Sequence, residues 1–127
     1  MFEDVWVWAG TYRSLETNIG IDPLRIPVAV RSLVGNAKTW VDSTVYDSDE
    51  IAVRFHHQLV FIHPFPNGNG RHGRIAADYL VSALGSAPFT WGRDLDAETQ
   101  QLRERYRHAL VQADRGDIGE LLTFARS

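Results

Sequence analysis

Apolar residues recur every three or four positions along most of the chain, as they do in helices that bury one face. One stripe predicts a helix over residues 27–41, and it consists of Val30, Leu33, Val34, Ala37 and Val41. Another predicts a helix over residues 47–63, and it consists of Ile51, Phe55, Leu59 and Ile62. Because Pro64 disfavours helical geometry in the preceding residue, this second helix should end at His63.

Polar residues and glycines place the other helix boundaries. Asp47 or Ser48 can cap the second helix, and acidic residues follow in its first turn, where the helix dipole favours them. A helix should begin again near Asn69 or Gly70. The remaining amphipathic stretches predict helices at the start, middle and end of the chain, over residues 1–9, 69–85, 96–114 and 118–126.

Residues 11–26 lack a helical period. The pieces TYR and NIGI are β-compatible and flank the polar segment SLET, which predicts a small β-hairpin. A chain of 127 residues suits one domain with one core. We therefore predict a single all-α domain over residues 1–127, a helical bundle with a small β-hairpin. Because aromatic residues begin at once, the domain is either minimal or lacks an upstream segment.

Composition narrows the class of protein. Hydrophobic residues make up 44% and charged residues 23% of the chain, as in soluble globular proteins. A net charge of −3 argues against direct nucleic-acid binding, and the absence of cysteine excludes disulfides and a cysteine nucleophile. No apolar run approaches the roughly 20 residues that span a bilayer, and no secretory signal is evident. We predict a cytoplasmic protein without membrane partners.

The segment HPFPNGNGRHGR, residues 63–74, places basic residues where a helix is normally destabilised by them. Arg71 and Arg74 lie three residues apart at the start of a helix, where the positive end of the helix dipole disfavours cations. The Gly-Asn-Gly turn before them supplies exposed backbone N–H groups. Guanidinium groups beside such N–H groups form a strong anion site, so the expected ligand is a polyphosphate or a phosphorylated group.

His63 stands a few residues before this anion site. An imidazole titrates near neutral pH and can accept a proton from a hydroxyl. A base beside a phosphate site indicates phosphoryl or nucleotidyl transfer. The alternative is an inter-helix turn with a structural histidine and solvated arginines, but the unfavourable position of the two arginines would then be unexplained.

The segment resembles the signature of the Fic (filamentation induced by cAMP) family, His-x-Phe-x-acid-Gly-Asn-Gly-Arg-x-x-Arg. It matches at His63, Phe65, Gly68, Asn69, Gly70, Arg71 and Arg74. WAGTYR, residues 8–13, is similar to a stretch that precedes the motif in that family, so the resemblance covers about residues 5–90. The overall sequence most resembles the Fic proteins called mobile mystery protein B.

The resemblance implies a Fic-type bundle that transfers AMP from ATP to a Ser, Thr or Tyr hydroxyl of a target protein. His63 would be the base, and residues 68–70 would hold the triphosphate. Arg71 would bind the phosphates near the reaction centre and Arg74 the γ-phosphate. Residues 11–26 would form a flap that pairs with the target backbone, and its tip would be Thr17, Asn18, Ile19 and Gly20.

Asn67 departs from the family pattern, which has an Mg²⁺-binding acid at this position. An amide oxygen can still bind a hard cation but carries no charge, so Mg²⁺ would depend more on the substrate phosphates. Two alternatives therefore stay open. One is a catalytically weakened Fic-fold binding module, and the other is a Fic-fold phosphotransferase or phosphocholine transferase that uses another donor.

Many Fic proteins are inhibited by a helix with the pattern Ser/Thr-x-x-x-Glu-Gly/Asn. No glutamate of this chain follows a serine or threonine at that spacing. The resemblance thus implies an inhibitory helix upstream of this chain, one supplied by an antitoxin-like partner, or none.

The other histidines and aromatic residues are less informative. We interpret His56 and His57 as structural histidines rather than metal ligands, because no acidic or cysteine partner completes a ligand set. His72 and His108 are expected on the surface. A tryptophan, Tyr79 or Tyr106 could stack on an adenine, and spacing does not choose among them.

Overall fold

A computed structural model of the protein describes residues 12–15, 20–93, 95 and 97–127. The helix predicted over residues 1–9 and the flap positions Thr17, Asn18 and Ile19 lie outside the described residues. Among the described residues all regular structure is helical, and none of these helices has both the length and the apolar composition that crossing a bilayer requires.

The first described helix, α1, is Ile26–Ser43 and follows a short 3₁₀ turn, Pro23–Arg25. The Asp22 side chain accepts a hydrogen bond from the Leu24 N–H, which starts this turn. The predicted helix over 27–41 is thus confirmed. Its inner face buries Ile26, Leu33 and Ala37.

Helix α2, Ser48–Ile62, carries the first half of the candidate site. Of the two predicted caps, Asp47 is the one used, and its carboxylate accepts a hydrogen bond from the Glu50 N–H at 2.8 Å. The helix ends where Pro64 predicts, since His63 is the C-cap in the left-handed region with φ 54° and ψ 60°.

Helix α3, Asn69–Ala83, carries the second half of the site and begins where the sequence predicts. Helix α4 is Thr99–Asp114, three residues shorter than predicted, because Glu98 and Gln101 form a capping box there. The short final helix, α5, is Gly119–Ala125.

Helices α2 and α3 form the centre of the bundle, and apolar side chains are buried on both of their flanks. One cluster joins them to α4 and α5, and its fully buried members include Val53, Ala77, Val81, Phe89 and Leu121. The other joins them to α1 through Ile26, Leu33, Leu59, Ile62 and Ala76. Both ends of the motif segment are therefore anchored in packed helices.

The hairpin predicted over residues 11–26 is wrong for the part of this segment that the structure describes. Residues 12–15 and 20–22 are irregular, and residues 23–25 form the 3₁₀ turn. The physical reason is the Arg13 side chain, which takes up carbonyl oxygens that a strand pair would use. It donates to Leu15 O at 3.0 Å and to Ile21 O at 2.5 Å.

Candidate active site

His63 lies at the carboxyl end of α2 in a left-handed conformation that histidine tolerates better than most residues. Its N–H donates to Leu59 O at 3.2 Å, which closes the last turn of the helix. The side chain is half-buried. This geometry turns the chain sharply into the loop toward α3, so both halves of the motif lie at one end of the α2–α3 pair.

Arg13 fixes the backbone around His63. Its side chain is only 5% exposed, and its Nε donates to His63 O at 2.5 Å. Nη2 reaches Ile62 O at 3.3 Å, and the Arg13 N–H donates to Pro64 O at 2.9 Å. The carbonyl oxygens of three consecutive residues are thus held by one arginine. The sequence pointed to Arg13 only as part of the WAGTYR resemblance.

Gly20 lies directly against the candidate base. A Cβ added at Gly20 would be 2.6 Å from His63 Cβ and 2.6 Å from Arg13 Nη2, and the residue has φ 101°. Only glycine fits such a position without displacing the histidine. The predicted role of Gly20 in target docking stays a prediction, and its immediate neighbour is His63.

The pKa of His63 lies below its usual value of 6.5. Burial of the imidazole is the main cause, and the positive charge of Arg13 is the second. Both disfavour the imidazolium form, so the ring is neutral and able to accept a proton near pH 7. This is the protonation state that a general base requires.

The loop between the two helices is held by the Asn69 side chain. Its Oδ1 accepts from the Phe65 N–H at 2.9 Å, and its Nδ2 donates to Phe65 O at 2.9 Å. Phe65 is 4% exposed, in agreement with a core position under the loop. Since the amide of Asn69 is used in these two bonds, its predicted phosphate contact would have to come from the backbone N–H.

His72 is buried, and the prediction of a surface position is wrong. It is 8% exposed, and its ring contacts the edge of Phe65 at a centroid distance of 4.5 Å. A surface position was predicted because His72 lies on the face of α3 opposite the arginines. In the structure the loop covers that face, because Phe65 packs beneath the first turn of the helix.

The start of α3 has the features of an anion site. Its N-cap is Gly68, with φ 71°, which offers no side chain to the free N–H groups of the first turn. No acidic residue lies in that turn. Arg71 is exposed and Arg74 half-buried, so both guanidinium groups add positive charge to the same end of the helix. The sequence predicted this arrangement of Gly68, Asn69, Gly70, Arg71 and Arg74, whose contacts with a nucleotide stay a prediction.

The histidine pair of α2 serves packing and hydrogen bonding. His56 is fully buried, and its Nε2 lies 2.7 Å from Tyr106 Oη, while His57 Nε2 lies 2.7 Å from Asp114 Oδ1. No group of three or more His, Cys, Asp or Glu side chains suited to a metal occurs in the described residues. His108 is exposed, as predicted, and bonds to Glu120 Oε2 at 2.6 Å.

Tyr106 was predicted only as one of several residues that could stack on an adenine, and Gly73 was not predicted as part of the site. The guanidinium carbon of Arg74 lies 5.3 Å from the centroid of the Tyr106 ring, so this tyrosine faces an arginine rather than an open adenine pocket. A Cβ at Gly73 would be 3.0 Å from His56 Nδ1, so glycine allows α3 to approach α2 closely. The sequence signal for Gly73 was its place between the motif residues Arg71 and Arg74.

The fold and the site together define a helical domain that places a histidine and an uncapped, arginine-bearing helix start at the two ends of one short loop. Residues 2–81 match the Fic/DOC family. Because this match spans more than half of the chain, the chain belongs to that family.

Individual relatives agree with this assignment. The chain is 29% identical over 119 residues to a protein named protein adenylyltransferase Fic from Nematostella vectensis. That alignment covers 91% of this chain and 26% of the relative, so the chain spans about a quarter of the curated relative's length.

Two solved structures share the fold. A Fic domain containing signaling protein from Bacteroides thetaiotaomicron gives a TM-score of 0.65 at 21% identity, over 84% of this chain and 42% of that chain. Fic-1 from C. elegans gives a TM-score of 0.63 at 24% identity, over 94% of this chain and 34% of that chain. Both structures therefore have the same fold as this chain.

Proposed function

We propose that this chain is a catalytic domain that transfers AMP from ATP to a Ser, Thr or Tyr hydroxyl of a target protein. The observation that carries the proposal is that Arg13 holds the backbone of His63 one short loop before the uncapped, arginine-bearing start of α3. The lowered pKa of His63 favours the neutral imidazole that a base requires. Relatives of this chain are named protein adenylyltransferase Fic, and these names support the same reaction.

In this proposal His63 accepts the proton of the target hydroxyl. The hydroxyl oxygen forms a bond to the α-phosphorus of ATP, the bond from that phosphorus to the bridging oxygen breaks, and pyrophosphate leaves. The backbone N–H groups of residues 68–70 and the side chain of Arg71 bind the phosphates near the reaction centre, and Arg74 binds the γ-phosphate. Each of these residues is assigned the role that the family's motif has at the matching position.

Asn67 is the residue of this site that could contribute to an Mg²⁺ ion. It is exposed in the loop, and the described residues offer no cluster of acidic side chains beside it. These residues fit an ion held mainly by the substrate phosphates, with the Asn67 amide oxygen as a neutral ligand. Such an ion would neutralise phosphate charge, while the protein groups orient the nucleotide.

The partners follow from the same proposal. The target is a protein that docks at Thr17, Asn18, Ile19 and Gly20. Regulation would come from an inhibitory helix upstream of this chain or from an antitoxin-like partner, and the location would be cytoplasmic. Within the family we propose that the chain is near the proteins called mobile mystery protein B, which its overall sequence resembles.

The test uses ATP labelled at either the α- or the γ-phosphate, incubated with the domain and cell-lysate proteins. Transfer of AMP should label protein from the α-position only, and intact-mass analysis of an isolated target should show an added AMP moiety. Label from the γ-position only would indicate a phosphotransferase and would reject the proposal.

The second candidate function is a weakened domain that binds nucleotide but transfers it poorly or uses another donor. The neutral Asn67 side chain, exposed where the family has an acid, favours it. Asn67→Asp should then lower the Mg²⁺ concentration needed for half-maximal transfer and raise the rate. An unchanged Mg²⁺ dependence would show that this position does not contact the metal.

A further inference from the structure

The two arginines of the motif have different surroundings. Arg71 is exposed, whereas Arg74 is half-buried and packs over the ring of Tyr106 at 5.3 Å. Tyr106 belongs to α4, outside the residues 2–81 that match the family. An element that the family match does not include therefore contacts a residue of the anion site.

Gly70 leaves the space in which these two side chains meet. A Cβ at Gly70 would be 3.4 Å from Arg74 Nη1 and 3.7 Å from Tyr106 Oη. The polar ends of both side chains thus lie beneath the first turn of α3. They meet next to the backbone N–H groups that form the anion site.

Tyr106 is itself held in place by His56. Tyr106 Oη lies 2.7 Å from His56 Nε2, and His56 is fully buried. The imidazole also packs against Trp91 at a centroid distance of 4.7 Å, and its Nδ1 faces Gly73. The tyrosine hydroxyl is consequently fixed from the core side and directed toward Arg74.

Protonation states define the direction of the contact between Arg74 and Tyr106. Burial lowers the pKa of His56 to about 4, so the imidazole is neutral. Burial raises the pKa of Tyr106 to about 12, although the charge of Arg74 and its hydrogen bond act in the opposite direction. A guanidinium can only donate. The Tyr106 oxygen is therefore the acceptor toward Arg74, whereas the donor in the Tyr106–His56 bond depends on which nitrogen of the neutral imidazole carries the proton.

We propose that Tyr106, supported by His56, is a positioning residue that holds the guanidinium of Arg74 ready for the terminal phosphates of the nucleotide. The inference rests on the proposed function for the identity of the ligand. It makes α4 part of the phosphate site, and it explains why Arg74 is ordered against the protein while Arg71 is exposed.

The first test compares Tyr106→Phe with a matched control. Tyr46→Phe removes a hydroxyl at another arginine–tyrosine contact, where the guanidinium carbon of Arg54 lies 4.3 Å from the ring centroid, away from the motif. Calorimetry with ATP and with AMP, both with Mg²⁺, measures the effect. Tyr106→Phe should weaken ATP binding about tenfold and leave AMP binding unchanged. Tyr46→Phe should change neither.

The second test observes Arg74 directly. In ¹⁵N-labelled protein without nucleotide, the Arg74 Nε–H should show a heteronuclear NOE typical of a rigid side chain, and Tyr106→Phe should reduce it. His56→Leu, which removes the hydrogen-bond partner of the tyrosine hydroxyl, should act in the same direction. Thermal melting establishes that each variant is folded.

Failure of this inference can be told apart from failure of the proposed function. If Tyr106→Phe binds ATP as the wild type does, within twofold, and the Arg74 NOE is unchanged, the positioning role is overturned even where AMP transfer is observed. If the wild type binds ATP but transfers no AMP, the proposed reaction fails and a weakened ATP affinity in Tyr106→Phe still supports this inference. A wild type that binds neither nucleotide overturns both.

Discussion

His56, in the middle of helix α2, and His63, the C-cap of that helix, both have a lowered pKa but differ in their position and burial. They lie seven residues apart, or about two turns, and burial is the main cause that lowers the pKa of each. His56 is fully buried in the middle of the helix, whereas His63 is half-buried at its end. Position relative to the helix end leaves His63 partly accessible and encloses His56 in the core.

His63→Ala should have the largest effect on this comparison. Loss of the general base should lower the transfer rate roughly 100- to 10,000-fold, while the free energy of unfolding changes by less than about 1 kcal/mol. The small stability change is expected because the side chain lies at a helix end rather than in the core. Labelled ATP and urea denaturation measure the two effects.

His57→Gln is the control, since His57 lies on the same helix but pairs with Asp114. It should keep the transfer rate. Wild-type transfer by His63→Ala would show that another group is the base.

The buried His56 should make stability depend on pH. Its pKa is about 4 in the folded protein and 6.5 in the unfolded chain, so the unfolded state binds more protons between these values. This contribution to stability is present above pH 6.5 and is lost as the pH falls from 6.5 toward 4. The loss should be on the order of 3 kcal/mol. Urea denaturation across this pH range measures it.

His56→Gln should flatten this part of the stability profile, because glutamine does not titrate. If the stability of the wild type depended on pH between 4 and 6.5 no more than that of His56→Gln, a buried neutral His56 would be contradicted.

Arg13→Lys tests how strongly the end of α2 depends on the hydrogen bonds from the Arg13 side chain to nearby carbonyl oxygens, which we call the Arg13 clamp. Lysine keeps the positive charge but lacks the planar fork that reaches several carbonyl oxygens. We expect a loss of about 1–2 kcal/mol in the free energy of unfolding and about a tenfold lower transfer rate. The altered side-chain bonds are those to Leu15, Ile21, Ile62 and His63.

The matched control is Arg25→Lys, at an exposed position beside the same region. Equal effects of both substitutions would mean that the clamp has no special role.

The acidic limb of the pH–rate profile should show the smallest effect. Because the base acts when it is neutral and its pKa is lowered, transfer should rise with pH and reach half of its maximum below pH 6.5. Arg13→Gln removes a positive charge near the imidazole, so it should move this midpoint to higher pH. A midpoint above 6.5 in the wild type would contradict the lowered pKa.

Local signals predicted the helices and the motif correctly where the controlling interactions are themselves local. Pro64 predicted the end of α2 at His63, and the Gly-Asn-Gly turn predicted the start of α3 at Asn69. Predictions that depended on distant partners did worse. The hairpin failed in the described part of residues 11–26 because the Arg13 side chain takes up carbonyl oxygens there, and His72 is buried because Phe65 covers it.

The amino-acid sequence by itself determined the helical class, the limits of the central helices and the joining of an imidazole to an arginine-bearing helix start. These features depend on periodicity, proline and glycine, which act within a few residues. The tertiary structure alone decided that Arg13 holds the carbonyl of His63 and that Tyr106 and His56 lie behind Arg74. Such contacts join residues about 30 to 50 positions apart, and no local spacing encodes which distant side chain will fill a given space between packed helices.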